Sequence, residues 1–273
     1  MISGSDANND WWAVAAIGLM AMVLVTFDHE ALGHGGMCLA LGGRILELTS
    51  SIFRCNLRSA WIAPAGPLCN LIVGTLSLLL TQATARRQLG TRLFLILVTS
   101  FSYFWEAGYV IHAMHRRDGD LYFAGQDFLG EPALGWRITG ALMGLMLYIF
   151  TVRWAWRALS ELWPGNLGVA RRAGRIVWLS ATLGAALAAL FYRGVGLADL
   201  RDAILEIGVS AFPLLWIGPY EHRLRDSRRL AAAKPTPQDP SGPPRIARNR
   251  CLIGAAALIY AVFFVTLGRG IFD

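Results

Sequence analysis

A cluster of ionisable side chains directly follows the first apolar run of the sequence. Asp28, His29, Glu30 and His34 come immediately after the apolar residues 11–27. Imidazole and carboxylate groups are ligands that zinc accepts, and a catalytic zinc site needs three protein ligands and an open position for water. A glutamate beside a ligand histidine can take the proton of the water that the metal activates. The cluster therefore predicts a metal-dependent hydrolytic site; polar residues that merely lie in the headgroup layer are the alternative.

The spacing of the two histidines differs from that of the familiar zinc helix. In H-E-x-x-H the histidines are four residues apart on one helix face, whereas His29 and His34 are five apart. In a regular α-helix they would diverge by about 140°. A single π-helical turn would bring them together, and Gly33, Gly35 and neighbouring Gly36 make the backbone adaptable. The alternative is that Glu30 and His34 are the ligands, which leaves no base assigned, so we favour the first arrangement.

A second motif, P-A-G-P-L-C-N at residues 64–70, begins the next apolar run. Gly66 permits close approach of another chain, and Pro67 lacks a backbone donor. Asn70 needs hydrogen-bond partners at the beginning of an apolar helix. Its amide could bind an extended substrate or position a carbonyl near the metal. It could equally form an ordinary hydrogen bond between helices.

The succession of H-E-A-L-G-H and A-G-P-L-C-N resembles the site-2 protease family of intramembrane zinc metalloproteases, with H-E-x-x-x-H in place of H-E-x-x-H. That family continues with an Asp-Gly on a third core helix, and the resemblance covers about the first 125 residues. It implies that His29 and His34 bind Zn²⁺ and that Glu30 activates water. It also implies that substrate is bound by Asn70, Gly66 and Pro67.

The resemblance also implies an aspartate as the third zinc ligand. Asp118 reproduces the Asp-Gly pair, and Asp120 precedes a segment that can form a helix. Both positions suit a carboxylate at a helix N-terminus, and the two candidates stay open. A solvated, charged turn is the alternative for each.

Two further histidines, His112 and His115, lie one helical turn apart, with Glu106 upstream. We interpret the histidines as hydrogen-bonded packing residues. Together with Glu30 and His34, however, they could form the centre of a non-haem iron oxidoreductase or hydroxylase, which in its di-iron form needs about six ligands or more. A non-enzymatic ion or metal transporter is a third possibility, because such proteins also place ionisable residues inside the membrane.

Composition predicts the fold class. Of the 273 residues, 55% are hydrophobic and 16% charged, whereas soluble domains carry about 25% charged residues. Mean hydropathy is +0.46. We expect an all-α, polytopic transmembrane bundle of about seven spans; these are residues 11–27, 61–80, 93–114, 134–155, 176–192, 203–220 and 252–267.

Other segments refine this organisation. Residues 42–59 predict a short β-hairpin after the first span, and residues 234–244 form a proline-rich loop. We expect a three-span catalytic core in residues 1–130 and additional helices in 131–273. The four cysteines predict no disulfide framework; we expect Cys38, Cys69 and Cys251 to be small buried residues.

The net charge of +7 comes from arginines in short loops between apolar runs. This pattern is typical of cytoplasmic loops and not of nucleic-acid binding, and it places the N-terminus in the cytoplasm. We therefore expect a multi-pass protein of the bacterial inner membrane. Its expected partners are membrane lipid and a membrane-spanning peptide or protein substrate, which the resemblance to site-2 proteases implies that it cleaves as a zinc endopeptidase. The sequence makes no prediction of oligomeric state.

Overall fold

The computed structural model describes residues 9–131, 133–192, 197–217 and 244–272, with the side chains of 197–199 left aside. In this part of the chain, six helices are long and apolar enough to cross a membrane. The expected all-α polytopic bundle is confirmed. The six are Trp11–Ala40, Ile62–Ala83, Leu89–Arg116, Leu134–Leu162, Leu167–Leu190 and Arg250–Gly268.

The first long helix consists of three consecutive pieces. Helix α1 (Trp11–Phe27) continues as a π-helix, Asp28–Gly35, which we call the ligand helix, and ends as α2 (Gly36–Ala40). The Asp10 carboxylate begins α1 by accepting the N–H groups of Trp12 and Ala13, donors that would otherwise be unpaired. Helix α1 is apolar on all sides, and three other long helices of the bundle pack around it.

Helices α3 (Ile62–Ala83) and α4 (Leu89–Arg116) pack beside the ligand helix. Small residues allow close contact, as at Gly74, where a Cβ atom would lie 2.9 Å from the Tyr103 ring. After α4 the chain turns through Arg117 and Gly119, both with positive φ. It then enters the short helix α5 (Asp120–Leu129), which packs against α3.

The hairpin predicted for 42–59 is present as strands β1 (Ile45–Leu48) and β2 (Phe53–Cys55). An unpredicted third strand, β3 (Ile271–Phe272), pairs with the other edge of β1. The three form an antiparallel sheet in the order β2-β1-β3.

The prediction for the cysteines was wrong in part. Cys38 of α2 forms a disulfide with Cys55 of β2, which ties the hairpin to the end of the first long helix. Cys69 is partly exposed and Cys251 is exposed. Single cysteines 17 residues apart match no recognised motif, so the spacing did not reveal this pair.

The expected span 203–220 is an interrupted helix within the described residues, which end here at 217. It follows α6 (Leu134–Leu162) and α7 (Leu167–Leu190). It consists of α8 (Leu197–Ala203), a π-helical turn Ile204–Val209 and a 3₁₀ turn Phe212–Trp216. The segment runs antiparallel to α7, since Trp178 bonds Gly208 and Arg171 bonds Ile217.

Along this interrupted segment, side chains of neighbouring helices donate hydrogen bonds to backbone carbonyl groups that have lost their helical partners. The carbonyl groups of Gly208, Ser210, Pro213 and Ile217 receive hydrogen bonds, respectively, from the side chains of Trp178, Tyr148, Trp156 and Arg171. Irregular backbone is tolerated at membrane depth only where protein groups satisfy it in this way. The interruption is therefore compatible with a membrane crossing.

The last long helix leads back to the sheet. Helix α9 (Arg250–Phe263) continues as a π-helical turn, Phe264–Gly268, and leads to β3. Among the described residues, six helices are long enough to span a membrane, against about seven expected spans, and the interrupted segment is not one of the six. The proline-rich segment 234–244 lies outside the described residues except for position 244.

Candidate metal centre

The ligand helix brings the two histidines of the first motif together. Its π-helical hydrogen bonding is visible where the Gly36 N–H donates to the Ala31 carbonyl, five residues earlier. Residues five apart therefore lie one turn apart, and the Nε2 atoms of His29 and His34 are 3.2 Å from each other. The predicted π-helical solution to the unusual spacing is confirmed.

Asp120, at the beginning of α5, brings a carboxylate to the same point. Its Oδ2 atom lies 3.3 Å from His34 Nε2 and 3.9 Å from His29 Nε2. The other candidate, Asp118, is exposed, and its Oδ1 accepts the Gly119 N–H at 2.9 Å. Of the two aspartates left open by the sequence, the structure places Asp120 at the site.

The three converging atoms have the chemistry of a metal site. The Nδ1 atoms of His34 and His29 face acceptors, the Ile62 carbonyl at 2.8 Å and Glu106 Oε1 at 2.9 Å, so each Nδ1 carries a proton. Both Nε2 atoms then present lone pairs, and the carboxylate of Asp120 is a third acceptor. Three acceptors that face one another form a site that a metal ion can occupy.

The distances between the three atoms are also those of a metal site. Tetrahedral zinc with ligands at about 2.0–2.1 Å separates its ligand atoms by about 3.3 Å, close to the separations of 3.2, 3.3 and 3.9 Å seen here. The group His29, His34 and Asp120 can therefore hold a metal ion. Two imidazoles and one carboxylate suit zinc and also iron(II).

Two glycines let α3 approach the ligands. A Cβ atom at Gly66 would lie 2.3 Å from His34 Nε2 and 2.8 Å from His29 Nε2. A Cβ atom at Gly33 would lie 2.5 Å from the Gly66 Cα. The bare backbone of Gly66 therefore forms one wall of the site, and Pro67 is buried directly after it.

Aromatic rings hold both imidazoles in place. The His29 ring stacks on Trp105 of α4, with centroids 4.5 Å apart and an angle of 9° between the planes. The His34 ring stacks on Phe53 of β2 at 5.5 Å and 17°. The histidines are only 2% and 3% exposed, and the hairpin thus covers the site from the side of His34.

Glu30 is buried beside the ligands, with 4% of its surface exposed. Electrostatic interactions connect its carboxylate with His29, His34 and Asp120. Among the described residues, the converging ligand group comprises the two histidines and Asp120. The arrangement in which Glu30 replaces His29 as a ligand is therefore not the one formed, and Glu30 stays free for another role.

The carboxylate of Asp120 is held in place by a tyrosine of a neighbouring helix. The hydroxyl of Tyr109 on α4 donates to Asp120 Oδ2 and accepts the Asp120 N–H, each at 3.1 Å.

Asn70 and Glu106 form a buried pair behind His29. Asn70 is fully buried, and its Nδ2 donates to Glu106 Oε1 at 2.8 Å. Sequence reasoning gave Glu106 no definite role, although an ionisable residue inside an apolar span is itself a signal. His112 and His115 are exposed and are not brought to the site.

A further acidic residue, to which sequence reasoning gave no role, is Glu206. It lies in the interrupted segment and is partly buried. Its carboxylate interacts electrostatically with that of Glu30. This electrostatic interaction places Glu206 in the surroundings of the candidate centre.

The centre thus combines ligands from the ligand helix and α5 with supporting side chains from α3, α4 and β2. The likeness to site-2 proteases rests on the motifs at residues 29–34 and 66–70. No family model matches the chain, and neither a curated protein nor a solved structure is similar enough to count as a match.

Proposed function

We propose that this protein is an intramembrane zinc metalloendopeptidase that cleaves membrane-embedded or membrane-proximal peptides. The observation that carries the proposal is the convergence of one atom each from His29, His34 and Asp120 within 4.8 Å, with the buried carboxylate of Glu30 beside them. Three protein ligands can hold a catalytic zinc ion, and a neighbouring carboxylate can serve as the base for its water.

In the proposed hydrolysis, one side chain of the site transfers protons and two aromatic rings hold the histidines in position. When bound, zinc supplies the Lewis acid that acidifies water and polarises a carbonyl group. Glu30 accepts the proton of the attacking water and returns it to the leaving amine nitrogen. Its burial keeps bulk water away from that proton, and the stacked rings of Trp105 and Phe53 keep the imidazoles fixed.

The hairpin beside His34 offers a place for an extended substrate. A helical peptide hides its peptide bonds in its own hydrogen bonds and must unwind before cleavage. Strand β1 is paired on both edges, whereas β2 is paired with β1 alone among the described strands. An unwound peptide can add to the outer edge of β2. Proline substitutions in β2 that leave cleavage unchanged would contradict this step.

Two independent features support an outward-facing centre. The arginine distribution favours a cytoplasmic N-terminus, which puts the end of the first long helix and its hairpin outside. The Cys38–Cys55 disulfide belongs to this hairpin, and disulfides persist in oxidising compartments. Single cysteines at the exposed positions 36 and 118 should react with a membrane-impermeant reagent in intact cells; labelling only after lysis would contradict this orientation.

Metal analysis of the purified protein tests the proposed function. We expect about one zinc per chain, a zinc ion lost in His34→Ala, and a zinc ion retained in a Glu30→Gln variant that no longer cleaves peptides. Wild-type protein without metal, or a Glu30→Gln variant with full peptidase activity, would contradict the proposal.

One observation favours a second candidate, an iron-dependent oxidoreductase. Two histidines and one carboxylate also form the ligand set of mononuclear non-haem iron enzymes. A di-iron centre has less support, because His112 and His115 are exposed and three ligands converge among the described residues. Iron in place of zinc in the same metal analysis would favour this alternative.

A further inference from the structure

One carboxylate oxygen behind the candidate centre is shared by two side chains. Glu106 Oε1 lies 2.9 Å from His29 Nδ1 and 2.8 Å from Asn70 Nδ2. Glu106 is 2% exposed and Asn70 is fully buried. The three side chains come from the ligand helix, α3 and α4, so this one oxygen connects the three elements that surround the centre.

The contact with Glu106 determines which nitrogen of His29 faces the metal position. A carboxylate oxygen only accepts, so Nδ1 must be the protonated nitrogen and Nε2 the one with the lone pair. The parallel contact with the Trp105 ring restricts rotation of the imidazole. A carboxylate on the distal nitrogen also makes a ligand histidine more basic and strengthens metal binding.

The orientation of the Asn70 amide follows from the same oxygen. A flipped amide would bring its own carbonyl oxygen against Glu106 Oε1, which would place two acceptors in contact. The amide therefore points its NH₂ group at Glu106. Its separation of 3.2 Å from His29 Nδ1 is a contact between two donors and not a hydrogen bond, because Nδ1 donates to the same Glu106 oxygen. Since Asn70 has no exposed surface, its NH₂ group is committed to Glu106, while its Oδ1 atom has no hydrogen-bond partner among the described residues.

We propose that Glu106 and Asn70 are positioning residues of the metal centre. Glu106 fixes the protonation and the direction of the His29 ring, and Asn70 acts through Glu106 by holding its carboxylate in place. This assignment rests on the proposed metal-dependent function and gives Asn70 a role different from the substrate contact that the sequence resemblance implies. His34 has a backbone partner instead, the Ile62 carbonyl, so Glu106 is the side chain through which the strength of a histidine ligand can be altered.

Metal affinity provides the test. Zn²⁺ binding to the full-length protein in detergent is measured by competition with a chelator for wild type, Glu106→Gln, Asn70→Leu and the double variant. We expect Glu106→Gln to weaken binding by about 10- to 100-fold and Asn70→Leu to weaken it in the same direction. The double variant should be no weaker than Glu106→Gln alone, because residues that act in series are not additive.

Two further measurements separate positioning from a general loss of structure. The visible absorption bands of the Co²⁺-loaded protein report ligand geometry and should change in Glu106→Gln and be largely restored in Glu106→Asp. Ser102→Ala is the matched control, because Ser102 lies one turn earlier on α4 and its buried hydroxyl has no hydrogen-bond partner in the described part of the chain. It should bind both metals as wild type does.

The outcomes that overturn the proposal are distinct from those that overturn the function. Wild-type zinc affinity and an unchanged Co²⁺ spectrum in Glu106→Gln would reject the role of Glu106 while the metal centre stands. A raised KM for peptide with unchanged zinc affinity in Asn70→Leu would return Asn70 to substrate binding. A wild-type protein that binds neither Zn²⁺ nor Co²⁺ would reject the metal centre, and the positioning role with it.

Discussion

The Nε2 atoms of His29 and His34 face each other at 3.2 Å, although the residues are five positions apart in the sequence. The extra residue relative to H-E-x-x-H is absorbed inside the ligand helix, since regular α-helix precedes and follows it. One widened turn therefore preserves the convergence of the ligands without displacing the rest of the first long helix. π-helical turns of this kind occur frequently at functional sites.

Substitution of Asp118, which precedes α5, and of Asp120, its first residue, should affect zinc binding differently. Asp120→Asn should abolish zinc binding, because Asp120 Oδ2 lies 3.3 Å from His34 Nε2 and a neutral amide is a poor zinc ligand. Asp118→Asn should retain about one zinc, since Asp118 is exposed. Metal analysis of the two purified variants checks this. Loss of zinc in Asp118→Asn with retention in Asp120→Asn would reverse the assignment.

A single methyl group at position 66 should close the centre. In Gly66→Ala the new Cβ atom would lie 2.3 Å from His34 Nε2, well inside van der Waals contact, so we expect zinc binding to be lost. Gly36→Ala is the matched control because no atom lies within 4 Å of the added Cβ. It should keep its zinc and gain about 0.5–1 kcal/mol in unfolding free energy. Zinc affinity and thermal unfolding are the measurements, and unchanged affinity in Gly66→Ala would contradict the geometry.

Removal of the Tyr109 hydroxyl should loosen the third ligand. Tyr109→Phe loses both hydrogen bonds to Asp120, and loss of such outer contacts typically weakens metal affinity by about tenfold or more. Tyr122→Phe is a suitable control, since no hydrogen bond of its hydroxyl occurs among the described residues. Chelator competition compares the two variants; equal affinities would show that Asp120 is held by other means.

The disulfide should stabilise the hairpin without contributing to metal binding. Replacement of Cys38 and Cys55 by serine should lower the unfolding free energy by about 2–4 kcal/mol, while zinc content stays at that of wild type because no ligand comes from the hairpin. Cys251→Ser, which removes an exposed free thiol, should change neither. Thermal unfolding with and without reductant measures the effect; a wild-type melting temperature unaffected by reductant would argue against the bond.

Local patterns predicted the parts of the site that depend on neighbours in sequence. The five-residue spacing of His29 and His34, together with the adaptable backbone at Gly33 and Gly35, predicted the π-helical turn. The choice between Asp118 and Asp120 was not available from sequence, because both suit a helix N-terminus. It is decided by Tyr109, a residue eleven positions before Asp120 that bonds its backbone and its side chain.

Contacts between distant segments explain what the sequence did not predict. Glu106 and Asn70 meet across 36 residues, and their joint action on His29 leaves no periodic signal. The carbonyl groups of the interruption near Pro213 are satisfied by side chains of two other helices, Trp156 and Tyr148 on one and Trp178 and Arg171 on the other. Hydropathy detects the apolar segment but not the break within it.

The pairing of β3 with β1 has a consequence for biosynthesis. Residues 47 and 48 leave the ribosome more than 200 positions before their partners, Phe272 and Ile271. The sheet beside His34 therefore stays incomplete until every intervening helix has been inserted into the bilayer. A nascent chain thus contains both histidines long before the sheet is complete, so the side of the candidate centre next to Phe53 takes its final form only after β3 has been synthesised.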